Sequence, residues 1–266
     1  MKKIIFLLMA LLVAAISPPL YAATPGLIDI RIGGVYDPFS SYPQYNYTGP
    51  AYIGSAGDYW NNMPAGIVES SDVPLLFADK TTSGANLTFS YIGDALISEL
   101  SKNNGFNGKL GAELMRNYIY TSAPDSPFDE MTIKGLAKNT QYNLYVYTQS
   151  ENTKTNLYGQ GQVLNLTING TEYLNQTISS DGSKSTFQVG QNVLIKTVTT
   201  DNDGKLVIRY QSGVPSADDP ANRAVINGFQ VAATPEPESM VLIGIGGVLM
   251  SAMKLRKKKA SDSSVA

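Results

Sequence analysis

The central part of the chain alternates between apolar and polar residues with a period of two, the pattern of a strand with one buried face. Over residues 85–92, leucine, phenylalanine and tyrosine share one face, while asparagine, threonine and serine share the other. Residues 26–35 alternate in the same way, with three isoleucines opposite Asp29 and Arg31. We therefore predict a strand over each of these two segments.

An asparagine-glycine pair separates two further apolar runs. Asn169-Gly170 lies between residues 163–168 and 172–178. Both residues of this pair tolerate positive φ angles, as a two-residue type I′ turn requires. The sequence therefore predicts a β-hairpin here.

The same reasoning applies to Asp203-Gly204, which lies between residues 193–199 and 206–210. We predict that these two segments also pair as neighbouring strands. Residues 224–231 form a last apolar stretch and are expected to complete the strand-rich part of the chain.

A helical period is found only over residues 110–118, where Leu110, Leu114 and Tyr118 could share one face. Short strands, frequent turn residues and no alternation of strands with helices indicate an antiparallel β-sandwich. We predict that this sandwich occupies residues 24–233 as a single domain.

One turn-and-strand segment, residues 135–146, resembles a feature of β-sandwich modules. In such modules a leucine enters the core, and a tyrosine six residues later folds back to bond the turn, as in a tyrosine corner. Leu136 and Tyr142 have this spacing. The resemblance is shared by fibronectin-like and jelly-roll sandwiches, so it does not distinguish between them.

Four motifs, one of which contains the segment just described, resemble those of galactose-binding-like domains, and this resemblance favours the jelly-roll form of the sandwich. The motifs lie at residues 57–61, 114–118, 135–147 and 226–231. The fold class that we predict is therefore mainly β, a jelly-roll sandwich with a separate segment at each end.

The N-terminal segment, residues 1–23, has the plan of a signal peptide. Lys2 and Lys3 precede an apolar run, and small residues at 22 and 23 offer a cleavage site. An uncleaved signal anchor is the alternative. Either form predicts export.

The C-terminal apolar run, residues 240–253, has no charged side chain. As a helix it would span ~21 Å, against a bilayer core of ~30 Å, so it is a marginal anchor. A basic block follows and favours the cytoplasmic side. Its members are Lys254, Arg256, Lys257, Lys258 and Lys259.

The order of features in residues 234–259 resembles the PEP-CTERM sorting signal. Pro235, Glu236 and Pro237 precede the glycine-bearing apolar run and the basic block. The resemblance implies recognition by an exosortase-type enzyme in a Gram-negative bacterium that makes exopolysaccharide. It also implies an inner-membrane intermediate and then release to the cell surface or matrix, with residues 260–266 as a disordered tail. A plain membrane anchor is the alternative.

Composition excludes several kinds of chemistry. The chain has no cysteine and no histidine, so it lacks disulfides, thiolate nucleophiles, Ser-His-Asp triads and the usual nitrogen or sulfur zinc ligands. Residues 24–253 carry 13 basic and 21 acidic residues, a net charge of −8. Because phosphates require a positive surface, we expect no nucleic-acid partner.

An aromatic-rich stretch near the N-terminus is the best candidate for ligand contact. Its rings could stack on the C–H faces of sugars. The candidate glycan contacts are Tyr42, Tyr45, Tyr47, Tyr59 and Trp60. The alternative is that Trp60 and about half of these tyrosines pack in the core.

Catalytic and metal sites are weakly indicated. Asp201 and Asp203 are spaced like calcium ligands, but a turn explains them better, so a structural calcium ion is a minor alternative to no cofactor. No local motif nominates a carboxylate pair for hydrolysis. The resemblance to the PEP-CTERM signal and to galactose-binding-like domains, together with the aromatic-rich stretch, implies a non-catalytic protein that binds exopolysaccharide. A secreted glycan hydrolase and a purely structural matrix protein are the alternatives.

Overall fold

The computed structural model describes residues 26–35, 47–65, 69–90, 105–106, 108–115, 118–121, 129–149, 162–178, 184–213 and 224–234. Within these ranges the chain forms strands and turns and contains no helix. The strands are β1 Leu27–Val35, β2 Asn61–Ala65, β3 Glu69–Leu76, β4 Thr82–Ser90, β5 Ile119–Thr121, β6 Asp129–Lys134, β7 Gln141–Tyr147, β8 Gln162–Ile168, β9 Thr171–Ile178, β10 Val193–Thr199, β11 Leu206–Ser212, β12 Ala224–Ile226 and β13 Gly228–Ala233.

Both predicted terminal segments lie outside these ranges, as do Pro235, Glu236, Pro237 and the basic block. The signal peptide and the sorting signal therefore stay predictions. In the part of the chain that is described, no helix is both long and apolar enough to cross a membrane.

Two large sheets enclose one apolar core. The five-stranded sheet has the order β10-β7-β13-β1-β2, and the six-stranded sheet has the order β3-β4-β6-β11-β8-β9. The core takes side chains from both sheets, for example Ile30, Leu144 and Phe229 from the first and Leu87, Leu166 and Ile208 from the second. The predicted two-layer β architecture is confirmed. One pair departs from the antiparallel expectation, since β1 and β2 are parallel.

The clearest sequence patterns are confirmed. Leu87 in β4 is buried, and Phe89 packs against the core. Strands β8 and β9 pair as an antiparallel hairpin. Asn169 and Gly170, which connect them, have φ angles of 46° and 80°. Two successive positive φ angles are the requirement of the type I′ turn.

The second predicted hairpin is wrong. Strand β10 pairs with β7 in the five-stranded sheet, whereas β11 lies between β6 and β8 in the six-stranded sheet. Residues 200–205 therefore carry the chain from one sheet to the other. The Asp201 carboxylate accepts hydrogen bonds from the backbone N–H groups of Asp203 and Lys205, at 2.9 and 2.7 Å. These bonds close a compact turn that links the layers.

The tyrosine corner is present. The phenolic oxygen of Tyr142 accepts a hydrogen bond of 3.1 Å from the backbone N–H of Ala137. Leu136 packs against the core. The predicted helical face over residues 110–118 is wrong. Residues 110–115 form turns, and the Leu110 side chain is exposed while Leu114 is buried.

Strand β1 is more deeply buried than its pattern predicts. Its isoleucines face the shared core, as expected. However, Asp29 and Arg31, on the opposite face, are also buried, with exposed fractions of 0% and 1%. Part of the outer face of the five-stranded sheet is therefore covered by other segments of the chain.

Candidate functional site

A loop that precedes β2 covers part of this outer face. The indole Nε1 of Trp60 donates a hydrogen bond of 2.9 Å to the Gly49 carbonyl oxygen. The Tyr47 hydroxyl donates one of 2.5 Å to the Pro50 carbonyl oxygen. The ring centroids of Tyr47 and Trp60 are 5.4 Å apart. These aromatic side chains hold the loop in a closed form against the sheet.

Trp60 and Tyr47 pack in this covering layer and are not available on the surface. Their exposed fractions are 0% and 6%. Burial of their large apolar rings favours the packing alternative over direct glycan contact. Tyr59 is half-buried, and Tyr42 and Tyr45 lie outside the described residues.

A chain of hydrogen bonds runs under the loop. The Gln230 side chain donates from Nε2 to Asp29 Oδ1 at 2.8 Å. Its Oε1 accepts a bond from the Tyr147 hydroxyl. The Tyr147 oxygen in turn accepts a bond of 3.1 Å from the backbone N–H of Tyr52. The buried network thus ends at a loop residue whose side chain is on the surface.

Burial dominates the electrostatics of Asp29. It raises the pKa of the carboxyl from 3.8 to about 8, against the opposing hydrogen bond from Gln230, and the nearby Asp58 carboxylate adds to the rise. The second oxygen, Oδ2, has no hydrogen-bond partner among the described residues. A buried carboxyl in this setting favours its neutral form, since the charged form loses its hydration.

Buried amides fix a second covering segment, residues 184–192. Asn192 donates to the Gln149 side-chain oxygen at 3.0 Å, and Gln149 donates to the Lys184 carbonyl oxygen at 2.9 Å. The Asn227 side chain accepts a bond from the Gln149 backbone N–H at 2.6 Å. These contacts tie residues 184–192 to the end of β7 and to Asn227.

The rest of the outer face, over β7 and β10, is only partly covered, with Gln141, Thr197 and Thr199 exposed and Tyr145 and Ile195 half-buried; we call it the open face. Along β7, Tyr142, Leu144 and Val146 point into the core, so Asn143 and Tyr145 point outward. In the ladder with β10, Thr197 lies opposite Asn143, and Ile195 lies opposite Tyr145. Gln141 and Thr199 form the next pair of this face and are exposed.

Tyr52 completes this surface from the loop side. Its side chain is 43% exposed. The ring centroids of Tyr52 and Tyr145 are 6.0 Å apart, and the ring planes are inclined by 35°. We call Tyr52, Tyr145, Asn143 and Thr197 the aromatic platform.

Polar groups next to the two rings are linked to each other. The Thr197 hydroxyl donates a hydrogen bond of 3.0 Å to the Asn143 side-chain oxygen. Burial raises the pKa of the Tyr145 phenol, as does Tyr52, while a hydrogen bond with the Asn143 side chain acts in the opposite direction. The amide of Asn143 is therefore oriented from both sides, and the platform offers preorganised neutral donors and acceptors beside two aromatic faces.

Sequence reasoning missed the two tyrosines of the platform. Tyr52 belongs to the aromatic-rich stretch, but the candidates were chosen among its other members. Tyr145 carried a usable signal, because it falls on the opposite face of β7 from Tyr142 and Leu144 and must therefore point away from the core.

Asp201 and Asp203 belong to the turn between β10 and β11. Asp201 Oδ1 is occupied by two backbone N–H groups, and the Asp203 carboxylate pairs with Lys205 at 3.2 Å. The hydrogen bond from the Lys205 backbone N–H contributes most to lowering the pKa of Asp201, and the bond from the Asp203 backbone N–H adds to this effect. No group of three or more acidic side chains with metal-binding geometry occurs within the described ranges.

A shallow cavity of about 340 Å³ lies on the outer face of the other sheet. Its lining residues are Thr167, Asn169, Gly170, Asp201, Val207 and Arg209. The Asn169 side chain bonds to three backbone groups there, and Arg209 pairs with Glu130 at 2.7 Å. Its polar groups therefore serve the turns and the sheet, and the aromatic platform is the better candidate for a ligand site.

No protein-family model matches the chain, and no curated protein is similar to it. Among solved structures, the CBM35 of Paenibacillus barcinonensis is 15% identical over 57% of this chain and 94% of that chain, with a TM-score of 0.31. The ANXUR1 extracellular domain of Arabidopsis thaliana is 11% identical over 65% of this chain and 55% of that chain, with a TM-score of 0.36.

The complex of the plant peptide RALF23 with FER and LLG2 gives 12% identity over 81% of this chain and 41% of that chain, with a TM-score of 0.39. This chain thus spans about half the length of the plant structures that it matches. TM-scores of this size are too low to establish a common fold, so they leave the family of this chain unassigned.

Proposed function

We propose that this chain is an exported, non-catalytic protein of the cell surface or extracellular matrix that binds exopolysaccharide through the aromatic platform. The observation that carries the proposal is the pair formed by Tyr52, which is exposed, and Tyr145, which is half-buried, on the outer sheet face. Aromatic faces attract the C–H faces of sugar rings, and adjacent amides and hydroxyls bond the sugar hydroxyls. Asn143 and Thr197 supply such groups beside Tyr145.

The dimensions of the surface favour a chain over a single sugar. From Gln141 to Tyr145 the open face extends over ~13 Å along the strand. Tyr52 extends it further on the loop side. A surface of this length accommodates several linked sugar rings, as an exopolysaccharide would present.

The chemistry of the platform supports binding over hydrolysis. Glycoside hydrolysis uses two carboxyl groups on either side of the scissile bond. The polar side chains of the platform are an amide and a hydroxyl, whereas Asp29 and Asp58 are fully buried. The proposed function requires no cofactor.

The expected export route completes the proposal. Residues 1–23 direct secretion, and residues 234–259 hold an inner-membrane intermediate for an exosortase-type enzyme, which releases the protein. The finer fold, a jelly roll, fits the repeated crossing of the chain between the two sheets, as in the steps from β6 to β7, β7 to β8 and β10 to β11.

Single substitutions of Tyr52 and Tyr145 by alanine test the proposed function. Full-length protein in mild detergent is assayed by affinity electrophoresis in gels that contain the host exopolysaccharide. Loss of one stacking ring should weaken binding by about two- to tenfold. Leu174→Ala is the control, because it removes a 51%-exposed apolar side chain from the other sheet. Equal retention of all four proteins would contradict the proposal.

A further inference from the structure

We infer that the aromatic platform selects uncharged polysaccharide chains, with Asn143 and Thr197 as the residues that set this specificity. This inference rests on the proposed function and adds the chemical class of the ligand. It predicts binding to neutral hexose polymers and rejection of polyuronates.

The first support is the chemistry of the polar side chains that flank the rings. Gln141 and Asn143 are amides, and Thr197 and Thr199 are hydroxyls, all on the open face of β7 and β10. Amides and hydroxyls both donate and accept hydrogen bonds. A sugar hydroxyl also does both, so these groups complement it. A carboxylate is bound most strongly by arginine or lysine, whose bonds are charge-assisted.

The second support is the net charge of residues 24–253 taken together. Residues 24–253 have a net charge of −8. Such a field repels polyanions at a distance and slows their association, whereas a neutral chain is unaffected. Neutral recognition groups within an acidic body therefore discriminate against acidic polymers twice, at the contact and during approach.

Thr197 is the position at which this specificity can be changed. It is exposed on β10, the edge strand of its sheet, and its hydroxyl is 3.0 Å from the Asn143 oxygen. Lysine is well tolerated on exposed edge strands. Thr197→Lys would place an ammonium group beside the rings without removing either of them. Thr171→Lys is the matched control, since Thr171 is exposed on β9, the edge strand of the other sheet.

The experiment measures retention of the full-length protein in gels that contain a galactan, a mannan or a dextran, and in gels that contain alginate or polygalacturonate. We expect the wild type to bind at least one neutral polymer equally well at about 0.05 M and 0.5 M salt, because no charge pairing is screened. It should not bind either polyuronate in a Tyr145-dependent manner, and any retention caused by the basic block should persist in Tyr145→Ala. Thr197→Lys should increase polyuronate retention by up to about fivefold at low salt, the range of one exposed ion pair, and Thr171→Lys should not.

The outcomes separate the two proposals. Polyuronate binding by the wild type that is lost in Tyr145→Ala would overturn the selectivity and leave the glycan-binding function intact. Failure of Thr197→Lys to exceed Thr171→Lys on polyuronates would also overturn the specificity role. If no polymer binds in a Tyr145-dependent manner, both the selectivity and the proposed function are wrong.

Discussion

The backbone N–H of Tyr52, an exposed residue, donates a hydrogen bond of 3.1 Å to the phenolic oxygen of Tyr147, which is fully buried. The Tyr147 ring is itself fixed by edge contacts with Trp60 and Phe187, at centroid distances of 6.1 and 5.3 Å. The surface ring of the platform is therefore positioned by a side chain inside the covering layer. A change at Tyr147 therefore tests how the positioning of Tyr52 affects glycan binding, without removing the Tyr52 ring that would contact the glycan.

Tyr147→Phe should lower the stability of the protein and, if the proposed function holds, its affinity for glycans. The ring packing is retained, but the Tyr52 N–H loses its acceptor and Gln230 loses its donor. Buried polar groups left without partners cost about 1–3 kcal/mol each. Urea unfolding and affinity electrophoresis measure the two effects.

Tyr142→Phe is the matched control for this prediction. It removes a phenol that accepts a hydrogen bond in the turn at Ala137, from the inner face of β7. We expect a stability loss of about 1 kcal/mol and no change in glycan affinity. If Tyr147→Phe retained full affinity despite its lower stability, the positioning role would be disproved.

Asp29→Asn should make the protein less sensitive to alkaline pH. The pKa of Asp29 is raised from 3.8 to about 8 in the folded state. Between these values the folded protein holds a proton that the unfolded chain has released, so the free energy of unfolding falls as pH rises. Asparagine does not titrate, and it keeps an oxygen for the Gln230 amide.

Thermal unfolding at several pH values checks this prediction. Wild type and Asp29→Asn should differ little near pH 4 and by up to about 5 kcal/mol near pH 8, with the variant more stable. Asp79→Asn is the control, because the Thr81 hydrogen bonds lower the pKa of Asp79 and it contributes no loss toward pH 8. Parallel curves for wild type and Asp29→Asn would contradict the prediction.

Gly204→Ala should destabilise the fold far more than Gly170→Ala, although both glycines have positive φ angles, of 73° and 80°. A Cβ atom at 204 would lie 2.2 Å from the Leu136 carbonyl oxygen, whereas one at 170 would have no atom within 4 Å. Gly170→Ala should therefore cost only the conformational strain of about 1–2 kcal/mol. Urea unfolding of the two variants measures the difference, and equal losses would show that the close approach to Leu136 is not rigid.

Replacing Pro235, Glu236 and Pro237 together by alanine tests the sorting signal. Alanine continues a helix well, so the apolar run should still enter the membrane. The variant should stay membrane-bound at full length, while the wild-type mature protein should lack the peptide with Arg256–Lys259 by mass spectrometry. A wild-type protein that retains this peptide in a host with the processing enzyme would support the plain anchor instead.

Local signals in the sequence predicted where the strands lie better than they predicted which strands pair with each other. The turn at Asn169-Gly170 determines which strands pair, because two successive residues with positive φ form a type I′ turn that reverses the chain directly into its neighbour. Asp203-Gly204 is also a pair of turn-forming residues, but it lies within a six-residue connection, 200–205. A connection of this length can reach the other sheet. Pairing there depends on which layer has space, and that information is not local.

The candidate site was only partly predictable, for a related reason. Alternation along β1 shows that Asp29 and Arg31 share a face, but it does not show that a distant loop covers that face. The same loop buries Trp60 and leaves Tyr52 outside. The packing of the loop against the sheet determines which aromatic residue of the stretch is exposed. This packing cannot be predicted from the composition of the stretch.

The pairing of β1 with β13 has a consequence for the time course of folding. Leu27 lies opposite Ala232, and β1 and β13 are neighbours in the middle of the five-stranded sheet. During synthesis from the N-terminus, β1 leaves the ribosome about 200 residues before its partner. The sheet cannot be completed until then, and contacts of such long sequence separation slow folding. The nascent chain must therefore stay incompletely folded through most of its synthesis, and an interruption at that stage would leave the edge of β1 open to pairing with other chains.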